Sequence, residues 1–209
     1  MLYNEEELIL FVSTYLKEAD NDKHYKPNLH FRSRSEHIKR VLTWLKRLLD
    51  QDLGSVRKDE LIIATIFHDI GRQRIKDNSN HAKIGADIFM CYAKNFNWTQ
   101  QEVNFIYYLI YNHSNKNLLK ECGTPIELIL LMEADLLDEE GALGVIFDVL
   151  SISSNDNINY ELCYQAINTH SGKILKQDYL VTPLGKSLWK EKQELISKFL
   201  GDLNYDLCI

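Results

Sequence analysis

The 209 residues, 45% hydrophobic and 26% charged, are enough for one well-filled globular domain. A formal net charge of −6 excludes a general nucleic-acid binder, which carries a basic surface. Four scattered cysteines (Cys91, Cys122, Cys163 and Cys208) form no CxxC pair, which excludes a disulfide framework and a thiolate zinc site and fits a reducing compartment.

The opening stretch MLYNEEELILFVSTYL is acidic, with no positive region ahead of an apolar run, so neither a secretory signal nor a transit peptide is expected. No window approaches the ~18 consecutive apolar residues of a membrane span. A cytoplasmic protein is the expectation. Apolar residues recur at helical spacing almost throughout, and β-branched alternation is scarce. This predicts helices near 5–19, 36–50, 58–70, 81–95, 99–113, 125–138, 141–150, 160–170 and 184–202, an all-α chain.

Start signals support these segments: Ser35 before Glu36, Thr99 followed by Gln100 to Glu102, and Thr124 before Pro125 with Glu127 close behind. Pro183 marks another helix start. Gly71, Gly123 and Gly141 stand just past segments that should stop, and Gly71 is expected in the left-handed conformation. Residues 20–34, 72–80 and 151–160 read as irregular connections. Stretches 20–34 and 151–182 are expected to form lobes or lids over one face. There is no internal repeat, no flexible interdomain linker and no glycine-rich phosphate loop.

The doublet His68-Asp69 interrupts the apolar run ATIFHDIGR, where no packing argument asks for it. An unpaired buried ion costs several kcal/mol, so a partner is expected. His37, His81, His113 and Asp135 each lie on their own apolar helical segment. Each alone also fits a structural role: a packed histidine, a helix cap, or a histidine favoured by the dipole at a helix C-terminus. Together they fit a metal site inside a helical bundle, which draws single ligands from several helices toward one interior point. Imidazole and carboxylate donors suit Mn, Fe, Co, Ni, Zn or Mg, and a set without thiolate points to hydrolytic chemistry. Adjacent residues do not share a helix face, but His68 and Asp69 can both reach one ion where the chain leaves its helix.

The order His37, His68-Asp69, Asp135 resembles the metal-dependent HD-domain phosphohydrolases. EHIKRVLTWLKRL resembles the family's first histidine helix, with Arg40-Val41 in the usual place, and ATIFHDIGR its signature helix. HAKIGADIF resembles the HAxxGA stretch, IYNHS the I-x-x-H-S segment, and MEADLLDEEGALGV the aspartate helix DADxLDxxGAxG. TPLGKSLWKEKQELISKFLGDL is similar to the closing helix of small bacterial HD proteins related to nucleotide pyrophosphohydrolases. The resemblance spans roughly residues 30 to 202. It departs where that branch often has a histidine five residues before the first metal histidine: Arg32 stands there, with His30 nearby. The GYP-type loop of cyclic-dinucleotide phosphodiesterases is missing.

The resemblance implies a single HD-like helical domain over residues 1–209, with a metal-binding core at 30–150 and a C-terminal helical extension at 160–202. It implies one divalent ion (Mn, Mg, Co, Ni, Fe or Zn) on His37, His68, Asp69 and Asp135. Asp69 would orient the attacking water. His81 and His113 would contact phosphate or complete a second metal site, and Arg72 would reach phosphate. Lys83, Arg74, Lys76 and Lys116 would add positive potential, and Asp138 would support the metal or touch substrate. Tyr25, Phe31, Tyr107, Tyr111 and Tyr179 are candidates to stack on a base.

The implied activity is hydrolysis of a phosphate ester or anhydride, foremost a nucleoside triphosphate split to monophosphate and pyrophosphate. The alternatives are a 5′-nucleotidase, a signalling-nucleotide phosphodiesterase, and a non-catalytic nucleotide-binding HD domain. A homodimer is the expected assembly, with no membrane partner.

Overall fold

The computed structural model describes residues 3–20, 33–74, 80–153 and 155–209. Regular structure among them is helical: α1 (Glu5–Asp20), α2 (Arg34–Leu48), α3 (Lys58–Phe67), α4 (His81–Ala93), α5 (Gln100–Asn112), α6 (Ile126–Glu139), α7 (Ala142–Ser151), α8 (Tyr160–Thr169) and α9 (Pro183–Leu207). Short 3-10 segments cover Ile70–Arg74, Lys116–Lys120 and Ser171–Lys176. The all-α expectation holds. No helix of the described residues is long and apolar enough to cross a membrane.

Local chemistry explains where the helices begin. Asn4 Oδ1 accepts from the Glu6 and Glu7 amides ahead of α1, whose first turn carries Glu5, Glu6 and Glu7 at the positive end of the dipole. Thr99 and Glu102 form the reciprocal capping box expected of α5. Thr182 caps α9, with Pro183 in its first turn.

Three starts or stops differ from expectation. The cap of α2 is Ser33, not Ser35: Ser33 Oγ stands three residues before Glu36 and accepts its amide at 3.3 Å, while Ser35 is already inside the helix and buried. α6 begins at Ile126, with the Pro125 carbonyl accepting from the Leu128 and Ile129 amides. Gly71 is not left-handed; the glycines with positive φ are Gly54, Gly123 and Gly141. It sits in the 3-10 segment after His68-Asp69, where a Cβ would overlap the His81 carbonyl oxygen and approach the Gly85 amide nitrogen to 2.5 Å. Its value is close backbone approach to α4, not turn conformation.

Two compact units divide the chain, with the boundary between Asp135 and Leu136. In the first, α3 lies at the centre, and every residue from Leu61 to Phe67 except Ile62 is buried. Around it pack α1 through Leu8, Val12 and Leu16, α2 through Ile38, Val41, Leu45 and Leu48, and α5 through Ile106, Leu109 and Ile110. These positions recur every three or four residues, and each such buried side chain contributes about 1.5–3 kcal/mol. Phe67 meets Phe89 of α4 edge-on, ring centroids 5.4 Å apart. In the second unit α7, α8 and α9 pack with the Ser171–Lys176 segment. Buried Asp148 there accepts from the Ser171 amide at 3.0 Å and hydroxyl at 2.6 Å. The expected lobe at 151–182 is thus helical for much of its length, while residues 21–32 of the other lie outside the described residues.

Candidate metal centre

Five elements of the first unit deliver the polar groups to one point. His37 is the fourth residue of α2, and it falls on the same face as the apolar row Val41, Leu45, Leu48. His68 is the C-cap of α3, and Asp69 follows before the 3-10 segment begins. The helix ends there, so neighbours in sequence are released from helical divergence and both turn inward. His81 opens α4, His113 caps the C-terminus of α5, and Asp135 lies in the third turn of α6. His37, His68, Asp69 and His113 are 0–1% exposed, a depth at which unpaired polar groups are not tolerated.

The distances describe a ligand shell. His37 Nε2 lies 3.3 Å from Asp135 Oδ1 and 3.6 Å from Asp69 Oδ2. His68 Nε2 lies 3.9 Å and 4.0 Å from the same two oxygens. Two triads, His37/His68/Asp135 and His68/Asp69/His113, each place their ligand atoms within 4.8 Å of one another. Donors held about 2.0–2.2 Å from a common ion must stand near this spacing.

The protonation states suit a cation. His68 Nδ1 is 2.7 Å from the Thr65 carbonyl oxygen, which only accepts, so this nitrogen carries the hydrogen and Nε2 offers a lone pair. That Nε2 is buried and makes no hydrogen bond among the described residues. Burial pushes the His68 pKa down to about 3, against the opposing pull of Asp69. The ring is neutral at pH 7, the form that binds metal. A carbonyl partner that fixes the tautomer is the usual support of a ligating histidine.

Both aspartates are held ionised. Burial alone would raise Asp69, but His68, His113, Arg34 and Arg72 outweigh it and keep its carboxyl well below the usual range. Asp135 is likewise held low against burial by Lys116, then by His37 and His68. Imidazoles and carboxylates, with an orphaned lone pair between them, fit a divalent ion of the Mn, Fe, Co, Ni, Zn or Mg type.

Around this core stand three cations. Arg72 Nε donates to Asp69 Oδ1 at 2.7 Å, and Arg34 Nη1 donates to Asp69 Oδ2 at 3.1 Å. Lys116 Nζ donates to Asp135 Oδ2 at 2.8 Å. His81 and His113 form a side pair, Nε2 to Nε2 at 3.2 Å, 3.5 and 3.7 Å from Asp69 Oδ1.

Not every expected group converges. Lys83 is half exposed and pairs with Asp87 at 2.7 Å one turn along α4, two residues from His81 and so on another face. It is not among the groups brought together here. Asp138 is buried on α6, three residues beyond Asp135, and belongs to the second unit. Tyr107 and Tyr111 stack on each other along α5, and Tyr107 hydroxyl reaches Asp87. Tyr179 packs edge-on against Trp189. Arg74 ends the 3-10 segment. Tyr25, His30, Phe31, Arg32 and Lys76 lie outside the described residues. The residue that sequence reasoning missed is Arg34. Its signal was present: it stands one helical turn before His37, on the same face of α2.

Comparison with known proteins supplies the context. No curated protein matches the sequence. Among solved structures the chain is similar to an HD-superfamily hydrolase from Bacillus thuringiensis, 18% identical, with a TM-score of 0.68 over 97% of this chain and 96% of that one. It is similar to Bacillus subtilis YpgQ in complex with ADP, 15% identical, with a TM-score of 0.66 over 97% and 94%. A Listeria innocua protein is 20% identical, with a TM-score of 0.63 over 99% of each chain. These likenesses establish the fold. The sequence profile of the HD domain matches residues 34–140, just over half of the chain and the whole span from Arg34 to Asp135. The buried histidine–aspartate cluster thus lies inside that match, and the chain belongs to the HD-domain family of metal-dependent phosphohydrolases.

Proposed function

We propose that this enzyme hydrolyses a phosphoanhydride in a nucleotide, splitting a nucleoside triphosphate into monophosphate and pyrophosphate. The observation that carries the reading is the charge arrangement. Two carboxylates lie among four histidines at the centre, and Arg34, Arg72 and Lys116 donate to their oxygens. A site that gains a divalent ion there becomes strongly cationic, which suits a polyanionic substrate. The ADP bound by Bacillus subtilis YpgQ, which shares the fold, supports a nucleotide over a simple phosphate ester.

In this reading His37, His68, Asp69 and Asp135 hold the ion, and residues 30–150 act as the catalytic core of a single HD-like domain. When bound, a divalent cation lowers the pKa of a coordinated water toward ~7 and neutralises charge on phosphoryl oxygens. Asp69 accepts a hydrogen bond from the attacking water and aims it at phosphorus. The water oxygen forms the new bond to the α-phosphorus as its proton passes to solvent, the bond to the bridging oxygen breaks, and pyrophosphate leaves with that oxygen. His81 donates its Nε2 hydrogen to a phosphoryl oxygen, His113 holds that hydrogen until substrate arrives, and Arg72 offers a planar fork to the same group.

The experiment is direct. Protein stripped with chelator is resupplied with Mn, Mg, Co or Ni, manganese first, and offered a panel of nucleotides. Pyrophosphate release from triphosphates supports the proposal. Orthophosphate from monophosphates alone points to a 5′-nucleotidase, and turnover of a phosphodiester to a signalling-nucleotide phosphodiesterase. Binding without turnover points to a nucleotide-binding domain. Undiminished turnover by Asp69→Ala or His68→Ala removes the proposed centre.

A further inference from the structure

Asp135 divides its two oxygens between the cluster and a single cation. Asp135 presents Oδ1 to His37 Nε2 at 3.3 Å and gives Oδ2 to Lys116 Nζ at 2.8 Å. Asp69 differs: its Oδ2 faces His37 and also accepts from Arg34, while Oδ1 accepts from Arg72. Lys116 comes from the start of the 3-10 segment after α5, three residues past His113. Its side chain is 27% exposed and that of Asp135 14%, so the pair is poorly screened by water. Lys116 is the foremost of the groups that hold the Asp135 carboxylate ionised beside Asp69.

We infer that Lys116 is a built-in competitor for the divalent ion at Asp135, setting the affinity of the centre below what its histidine and aspartate ligands alone would give. The inference rests on the metal-site reading proposed above. A bound cation and the Lys116 ammonium draw on the same carboxylate and repel each other across it. Lys116 therefore stabilises the metal-free protein more than the metal-loaded one. By reciprocal linkage, its loss must tighten metal binding by the factor that separates those two effects. A lysine that merely oriented Asp135 as a ligand gives the opposite sign, because loss of such support weakens metal binding, typically 10–100-fold.

The test uses the full chain and Mn2+ alone, without nucleotide. Binding is titrated calorimetrically and by competition with a chromophoric chelator at fixed pH. Lys116→Met is expected to lower the Mn2+ dissociation constant about tenfold, within the usual range of coupling between sites. Lys116→Arg, which keeps the charge, is expected to stay within about threefold of the parent, a small fraction of such coupling. An unchanged or raised dissociation constant in Lys116→Met overturns the inference, and so does equal tightening in Lys116→Arg. If Lys116→Met is recovered only with metal bound, melting temperatures with and without Mn2+ decide: a larger metal-dependent rise than in the parent supports competition, an equal or smaller one overturns it. Failure of the parent to bind Mn2+ at all defeats the metal-site reading itself, a result distinct from failure of this step.

Discussion

His113 turns its Nδ1–H onto the Ile110 carbonyl oxygen, 2.7 Å away, and so meets His81 Nε2, at 3.2 Å, with a lone pair. In the neutral pair the His81 hydrogen is shared between the rings. A phosphoryl oxygen arriving near Asp69 can take that hydrogen in place of His113. His81→Ala is expected to lower kcat about 10²-fold, the usual cost of losing one donor to developing charge. Metal content should stay at the parental stoichiometry, because His37, His68, Asp69 and Asp135 remain. Turnover measured together with elemental analysis checks this; loss of metal in parallel with activity would instead make His81 a ligand.

Metal addition should be visible in stability alone. At a free concentration 100 times the dissociation constant, a ligand of the native state contributes about 2.7 kcal/mol. For a chain of this length that raises Tm by roughly 5–10 °C. The chelated parent is therefore expected to melt lower than the Mn2+-loaded parent, and His68→Ala to show no such difference. Scanning calorimetry on the four samples decides it, and a His68→Ala protein that still gains several degrees would falsify the ligand set.

Gly71 is a steric requirement of the site. Any Cβ there overlaps the His81 carbonyl oxygen and crowds the Gly85 backbone, neither of which can swing aside. Gly71→Ala is expected to cost about 3 kcal/mol, the upper part of the range for overpacking. By pushing the start of α4 away it should also draw His81 out of reach of His113. Denaturant unfolding reports the first effect and residual kcat the second. A variant as stable as the parent shows that the two segments do not pack this closely.

Glu140, in the turn between α6 and α7, gives a pH dependence with a definite sign. Burial first, then Glu139 and Asp148, push its pKa from 4.5 up to about 7, with Lys192 and Lys173 opposing. The folded form therefore holds its proton more tightly than the unfolded chain, and stability is fully present below pH 4.5 and falls as pH rises through 7. Glu140→Gln should remove this part of the slope. The variant is expected to match the parent near pH 4.5 and to melt higher at pH 8, as read from Tm across that range. A variant less stable than the parent at pH 8 contradicts the assignment.

Much of this molecule was legible before its coordinates. Helical spacing of apolar residues located the helices to within a few residues, because the period reports which face is buried wherever the chain packs. Capping chemistry was legible where one residue alone could serve, as at Thr99, and misleading where two serines competed ahead of Glu36. Gly71 was recognised as special for the wrong reason. A glycine needed for conformation and one needed for close approach look alike in sequence, and only the neighbour across the gap tells them apart.

The sequence by itself determined the residue types of the centre and their order, since buried histidines and aspartates on apolar helices are costly without a shared purpose. Tertiary structure alone decided which cation stands on which oxygen. Arg34 drew no expectation along the chain, and Arg72 and Lys116 were expected to face phosphate, yet each closes on a carboxylate, 35, 3 and 19 residues away. Lys83 was expected beside them and lies instead on the exposed face of α4. Charges reveal their partners only through distance in space, because Coulomb attraction depends on separation and burial, and composition records neither.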